Sequence, residues 1–112
     1  MSVSLLIEYS DTNKSSRMIP IATEDFFKTY WLPLAKSLEL SWVQMFETGV
    51  IIISESLPIV LNELKLMTEF VSGKPSPNIP KWALDHMIDR MNLLVSELNS
   101  TKNSNNLSIY IG

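Results

Sequence analysis

The chain has 112 residues, of which 46% are hydrophobic, with no cysteine, a single histidine (His86) and a formal charge of −3. That is the length of one domain, with enough apolar content to bury a core without covalent staples. The inventory excludes disulfides, thiolate chemistry and cysteine-based zinc sites, and the three glycines, at 49, 73 and 112, form no phosphate-cradling motif.

Residues 3–9 alternate, with Val3, Leu5, Ile7 and Tyr9 on one face and Ser4, Leu6 and Glu8 on the other, which predicts a half-buried strand. The polar stretch Ser10–Arg17 reads as a loop. Thr23 is a good N-cap, and Glu24 and Asp25 suit the first turn of the helix it opens. Phe27, Tyr30, Trp31, Leu34 and Leu38 recur at helical spacing. Pro33 lies inside that pattern, so the helix must kink or restart there.

Ser41–Glu47 alternates again, Trp42, Gln44 and Phe46 against Val43, Met45 and Glu47. Thr48-Gly49 supplies a turn, and Val50–Ile53 is apolar on both faces. Together these predict a β-hairpin whose second strand lies in the sheet interior. Ser56 then caps a helix that tolerates Pro58 in its first turn and runs to about Val71.

That second helix has two apolar stripes, one of Leu57, Val60, Leu61, Leu64, Met67 and Val71 and another of Ile59, Leu66 and Phe70. It is either sandwiched between sheet and helix, the preferred arrangement, or it shows its second stripe to a partner. Glu63 falls between the stripes. If buried, it bonds an indole or backbone donor, or else it is a carboxylate poised in an apolar setting.

Gly73 and the proline-rich run to Pro80 form a stiff connector. Lys81–Asn99 is a third helix with a stripe of Leu84, Met87, Ile88, Met91, Leu94, Val95 and Leu98. His86 and Trp82 fall on its opposite face, the Trp either tucked against the connector or free as a binding anchor. Residues 100–106 are expected to be a mobile polar loop, and Leu107–Ile111 closes the chain as a strand. The expectation is a single α+β domain over residues 1–112, in the order βαββααβ, with an antiparallel or mixed sheet and helices mainly on one face.

Met1–Glu8 lacks the basic start of a signal peptide, and no apolar run reaches membrane-spanning length, so a soluble cytoplasmic protein is expected. No nucleotide, zinc-protease or hydrolase motif is present, and the cations form no basic stripe. The reading is of a non-enzyme without cofactor or metal, with no nucleic acid, membrane or small-molecule substrate as partner. An enzyme using carboxylates alone would need Glu63 to converge with Glu8 or Glu47. The charge is uneven: residues 21–71 hold seven acids against three lysines, a net −4, and the remainder carries +1. Such a middle segment would favour a basic protein partner.

The run Phe27-x-x-x-Trp31-Leu-Pro33-Leu-Ala-x-x-Leu-x-Leu40-x-Trp42, then Phe46-x-x-Gly49 with an isoleucine strand, Glu63-Leu64 on a helix, and the terminal Ile-Tyr110-Ile-Gly112 resemble small bacterial immunity proteins. These are the partners of polymorphic toxins, particularly those of contact-dependent growth inhibition. One departure is Glu39, where the pattern has a glycine to end the first helix. The resemblance implies a cytoplasmic inhibitor that binds one cognate toxin domain, often a nuclease, and blocks its active site. With a basic toxin, the expected contact residues are Glu24, Asp25, Glu39, Glu47, Glu55 and Glu69, with Trp82 as the aromatic anchor. The alternative is a non-catalytic interaction module or small regulatory subunit that buries Ile59, Leu66 and Phe70.

Overall fold

The computed structural model describes residues 2–10, 16–73, 79–102 and 107–112. Four strands, β1 (Ser2–Tyr9), β2 (Arg17–Thr23), β3 (Val50–Ile52) and β4 (Leu107–Ile111), form one antiparallel sheet in the order β2-β1-β4-β3. The helical segments are α1 (Glu24–Phe26), a π turn (Phe27–Trp31), α2 (Leu32–Ser37), α3 (Ser41–Gln44), a 3-10 turn (Met45–Glu47), α4 (Leu57–Gly73) and α5 (Lys81–Ser100). The fold is α+β.

The alternation in β1 and β4 sets the layering. Val3, Leu5, Ile7, Ile109 and Ile111 point to one side of the sheet and are buried there with Leu64 and Met67 of α4 and Met87, Met91, Leu94 and Leu98 of α5. Phe27, Trp31 and Phe46 complete the same cluster. Helices cover this face, and the other carries no helix of the described residues. Arg17 at the start of β2 clamps the sheet to α5 through a two-pronged contact with Glu97, at 2.8 and 2.9 Å.

The helix predicted from Thr23 begins there. The Thr23 hydroxyl accepts the Phe26 N–H at 3.1 Å, satisfying one of the amides that a helix start leaves open. Pro33 is absorbed without a break. The Leu32 N–H reaches back five residues to the Phe27 carbonyl, so the chain takes a π turn and resumes as α helix with the proline in its first turn.

Three local expectations are corrected. Ser41–Glu47 is helical: its buried residues are Val43 and Phe46, which continue a spacing of three from the buried Leu40 just before it, and the alternation of Trp42, Gln44 and Phe46 is incidental. The remaining strand comes instead from Arg17–Thr23, assigned only in part to the loop that starts at Ser10, so the order is ββαβααβ. Within that loop, residues 11–15 lie outside the described residues. β3 is then an edge strand rather than an interior one, because among the described residues it pairs only with the C-terminal β4.

Two further differences concern helices. Ser56 stands where a cap is expected, but its hydroxyl bonds the Ile53 backbone, donating to the carbonyl at 3.1 Å and accepting the N–H at 3.0 Å. In α4 the stripe of Ile59, Leu66 and Phe70 is not sandwiched; each is 46–49% exposed. Of the stretch 100–106, Ser100 ends α5, Thr101 and Lys102 turn, and residues 103–106 lie outside the described residues.

Candidate functional site

Phe26 and Phe27 are adjacent, so a helix cannot turn both to one side. Phe27 goes inward and stacks on Trp31 at 5.7 Å between centroids. Phe26 goes outward and meets Tyr30 one turn on, at 4.9 Å. The same four-residue spacing thus produces an inner and an outer aromatic pair.

The outer pair receives Trp82. Its ring lies 5.9 Å from both Phe26 and Tyr30, edge-on to the tyrosine, and its side chain remains 63% exposed. It is open to solvent over an aromatic seat; of the connector it was expected to meet, residues 74–78 lie outside the described residues. His86, one turn along α5, is not the solvent-facing residue expected. It is half-buried with its ring edge-on to Phe26 at 4.8 Å, and its Nδ1 has no hydrogen-bond partner among the described residues. The cause is rotational. The buried stripe of α5 runs through Ala83, Met87, Leu94 and Leu98, about 40° round from the axis expected at roughly 100° per residue, which brings His86 to the stripe's border.

Acids and cations both lie near this cluster, Asp89 being 3.9 Å from Arg90. Glu24 and Asp25 occupy the turn that carries Phe26, and Asp85 and Asp89 follow Trp82 along one side of α5. Glu24 holds Lys28 at 3.1 Å, and that hydrogen bond, with the charges of Glu24, Glu47 and Asp25, raises the lysine above its usual range. Lys28 is therefore paired with Glu24. A cleft of about 360 Å³ opens beside the aromatics, bounded by Pro20, Thr23, Phe26, Trp82, His86 and Arg90.

Three of the seven expected contact residues, Glu24, Asp25 and Trp82, belong to this side of the molecule. The other four are placed separately, Glu47 at the end of the 3-10 turn before β3. Glu39 occupies the left-handed turn between α2 and α3, with φ at 58°. Glu55 lies before α4 and accepts the Ser54 hydroxyl at 3.3 Å. Glu69 borders the groove between α4 and α5 with Lys65. Phe26, Asp85 and Asp89 had not been singled out as contacts, although the Phe26-Phe27 doublet carried the signal for an outward aromatic.

Glu63 is buried, and its Oε1 accepts the N–H groups of Trp42 and Val43 at 3.0 and 3.1 Å. These are open amides at the start of α3, so a carboxylate from α4 serves as that helix's cap. Burial pushes the Glu63 carboxyl up, and the two N–H bonds pull against it. Glu8 points to the helix-free side of the sheet, away from α4, so Glu63 and Glu8 do not converge. Among the described residues no three of His, Asp and Glu come together as metal ligands, and no helix is long and apolar enough to cross a membrane. Comparisons with protein-family models, curated proteins and solved structures find no match.

Proposed function

We propose that this chain is an immunity protein that binds a cognate toxin domain, most simply a basic nuclease, and occludes its active site in a 1:1 complex. The observation that carries the proposal is the exposed Trp82, seated on Phe26 and Tyr30, with Glu24 and Asp25 in the turn that carries Phe26 and Asp85 and Asp89 further along its own helix. A large aromatic held in place costs little entropy to bury, and acids near it steer a basic partner toward the right face. The resemblance of residues 27–66 and of the terminal Ile-Tyr-Ile-Gly supplies the class of partner.

The test is capture of the product of the adjacent reading frame, which on this proposal is a large secreted protein with a toxic C-terminal domain. Trp82→Ala should weaken capture by about a hundredfold, the loss of one anchor, while leaving the melting temperature nearly unchanged because the side chain is exposed. Asp85→Asn with Asp89→Asn should slow association and flatten its dependence on salt. Capture that ignores both Trp82→Ala and salt would overturn the proposal.

A second reading is a constitutive interaction module. It is favoured by the half-exposed Ile59, Leu66 and Phe70 on one side of α4. Leu66→Lys would abolish association on this reading and leave toxin capture intact on the first.

A further inference from the structure

Along α5, Trp82, His86 and Arg90 recur every four residues and so share one side of the helix. That side borders the cleft of about 360 Å³, which Ile21 and Ala22 of β2 and Phe26 of α1 also line. Arg90 Nη1 donates to the Pro20 carbonyl at 3.1 Å, which fixes the guanidinium against β2. Two other nitrogens of this side, His86 Nδ1 and Arg90 Nε, have no hydrogen-bond partner among the described residues. The carboxylate nearest Arg90, that of Asp89, is 3.9 Å from Nε, beyond hydrogen-bonding distance. Among the described residues the only ionisable groups in the lining are His86 and Arg90, although the chain carries −3. Glu24, Asp25, Asp85 and Asp89 lie near the aromatics but outside the lining.

We propose that this cleft binds a small aromatic carboxylate, its ring against Phe26 and Trp82 and its carboxylate at Arg90 beside His86. Three features select that chemistry. The volume is at the lower end of ligand sites, which suits one ring with a short arm. Phe26 and Trp82 offer aromatic surface to a ring, and contacts of that kind are worth more than the area they bury. The guanidinium is a planar fork that matches a carboxylate, and its tie to Pro20 means that little freedom is lost when it is used. A wholly apolar ligand would leave the charged group without an acceptor, and a cationic one would be repelled by Arg90. The span also agrees. Four residues of helix advance about 6 Å, so a ring at Trp82 places a short acidic arm beside His86 and within reach of Arg90.

A free aromatic acid and the last residue of a peptide ending in phenylalanine present the same chemistry. Neither requires the toxin proposal, which draws on the solvent side of Trp82 and on the acids. Binding of the acid is measured on the chain alone and toxin capture on the pair, so either can fail without the other.

Titration of the full chain with N-acetyl-phenylalanine, followed by tryptophan fluorescence and amide NMR shifts, tests the proposal. Neither Trp31 nor Trp42 lines the cleft, so a change in fluorescence reports on Trp82. The expected result is saturable binding at about millimolar affinity or tighter, with shifts concentrated in residues 20–26 and 82–90. N-acetyl-phenylalaninamide, which keeps the ring and lacks the charge, should bind at least about tenfold more weakly. Arg90→Gln should weaken the acid by a similar factor and leave the amide unchanged, which a general loss of packing would not do. The comparison of acid with amide needs no variant, so it decides the matter even where Arg90→Gln fails to fold. Titrations with 3-phenylpropionate and with a peptide ending in Gly-Gly-Phe separate the two sources, the tighter ligand identifying which one the cleft fits. Equal affinity for acid and amide overturns the proposal, as do shifts confined to other parts of the chain or no saturable binding of any of the acids.

Discussion

Glu63 shows how one buried residue can serve as another segment's end. The Trp42 and Val43 amides would otherwise lose water without gaining an acceptor, at about 1–3 kcal/mol for such a group. Glu63→Ala should therefore destabilise the chain by about 2–3 kcal/mol, whereas Glu63→Gln, which keeps the acceptor oxygen, should cost about 1 kcal/mol at most. The two variants also separate charge from hydrogen bonding. Because the folded carboxyl is raised by burial, the folded chain holds its proton where the unfolded chain has already lost it. The Glu63 contribution to stability is then greatest below the ordinary glutamate pKa and declines as pH rises through the raised folded value. This is opposite in sign to an ion-paired acid. Denaturant unfolding of the wild type and of Glu63→Gln at pH 4.5 and 7, values near and above the ordinary glutamate range, should show the difference between them shifting in favour of the wild type on acidification. A difference that is constant with pH would contradict this assignment.

At the scale of elements, the α2–α3 junction is the clearest case of a departure with a structural consequence. The Leu40 N–H bonds the Ala35 carbonyl at 2.8 Å and the Glu39 N–H bonds that of Lys36 at 3.2 Å, the paired closure of a Schellman helix end. In that closure the residue after the cap takes the left-handed conformation, and here it is Glu39 rather than the glycine of the resembled pattern. A Cβ in this region costs about 1–2 kcal/mol, offset in part by the looser unfolded chain of glycine. Glu39→Gly should raise stability by about 0.5–1 kcal/mol, visible as a higher melting temperature; a loss would mean that the glutamate side chain contributes more than its backbone costs. The same junction shows where sequence legibility ended. Residues 41–47 satisfy a period of two and a period near three and a half equally well, and the choice was made by Glu63, distant in sequence, offering to cap a helix. Helices α4 and α5, by contrast, were legible almost to the residue because their apolar stripes run for several turns with one period.

For the whole molecule, the decisive feature is that β4, the last strand, lies between β1 and β3. It buries Ile109 and Ile111 and closes the ladder through reciprocal bonds between Ser4 and Gly112 at 3.0 and 3.2 Å. Removing residues 107–112 would strip β3 of its only strand partner among the described residues and expose the inner face of β1, so the shortened chain should lose its cooperative thermal transition. A shortened chain that still melts sharply would show that the helices and β1–β2 suffice. The candidate site has the same origin. Trp82 was identifiable as off the core stripe, and Glu24 and Asp25 as helix-start acids, but their placement on one side depends on α1 and α5 meeting near Phe26.

Taken by itself, the sequence determined the α+β class, the position and inner face of β1 and β4, the cap at Thr23, the need to accommodate Pro33, and the lack of thiol chemistry. Each follows from local period, local steric limits or inventory. Tertiary structure alone decided that residues 41–47 are helical, that β2 exists and β3 is an edge, that His86 is half-buried, and that the second stripe of α4 stays open. These outcomes depend on which residue far along the chain covers a given surface. Local spacing cannot carry that information, because it records what a segment can bury and not what arrives to bury it.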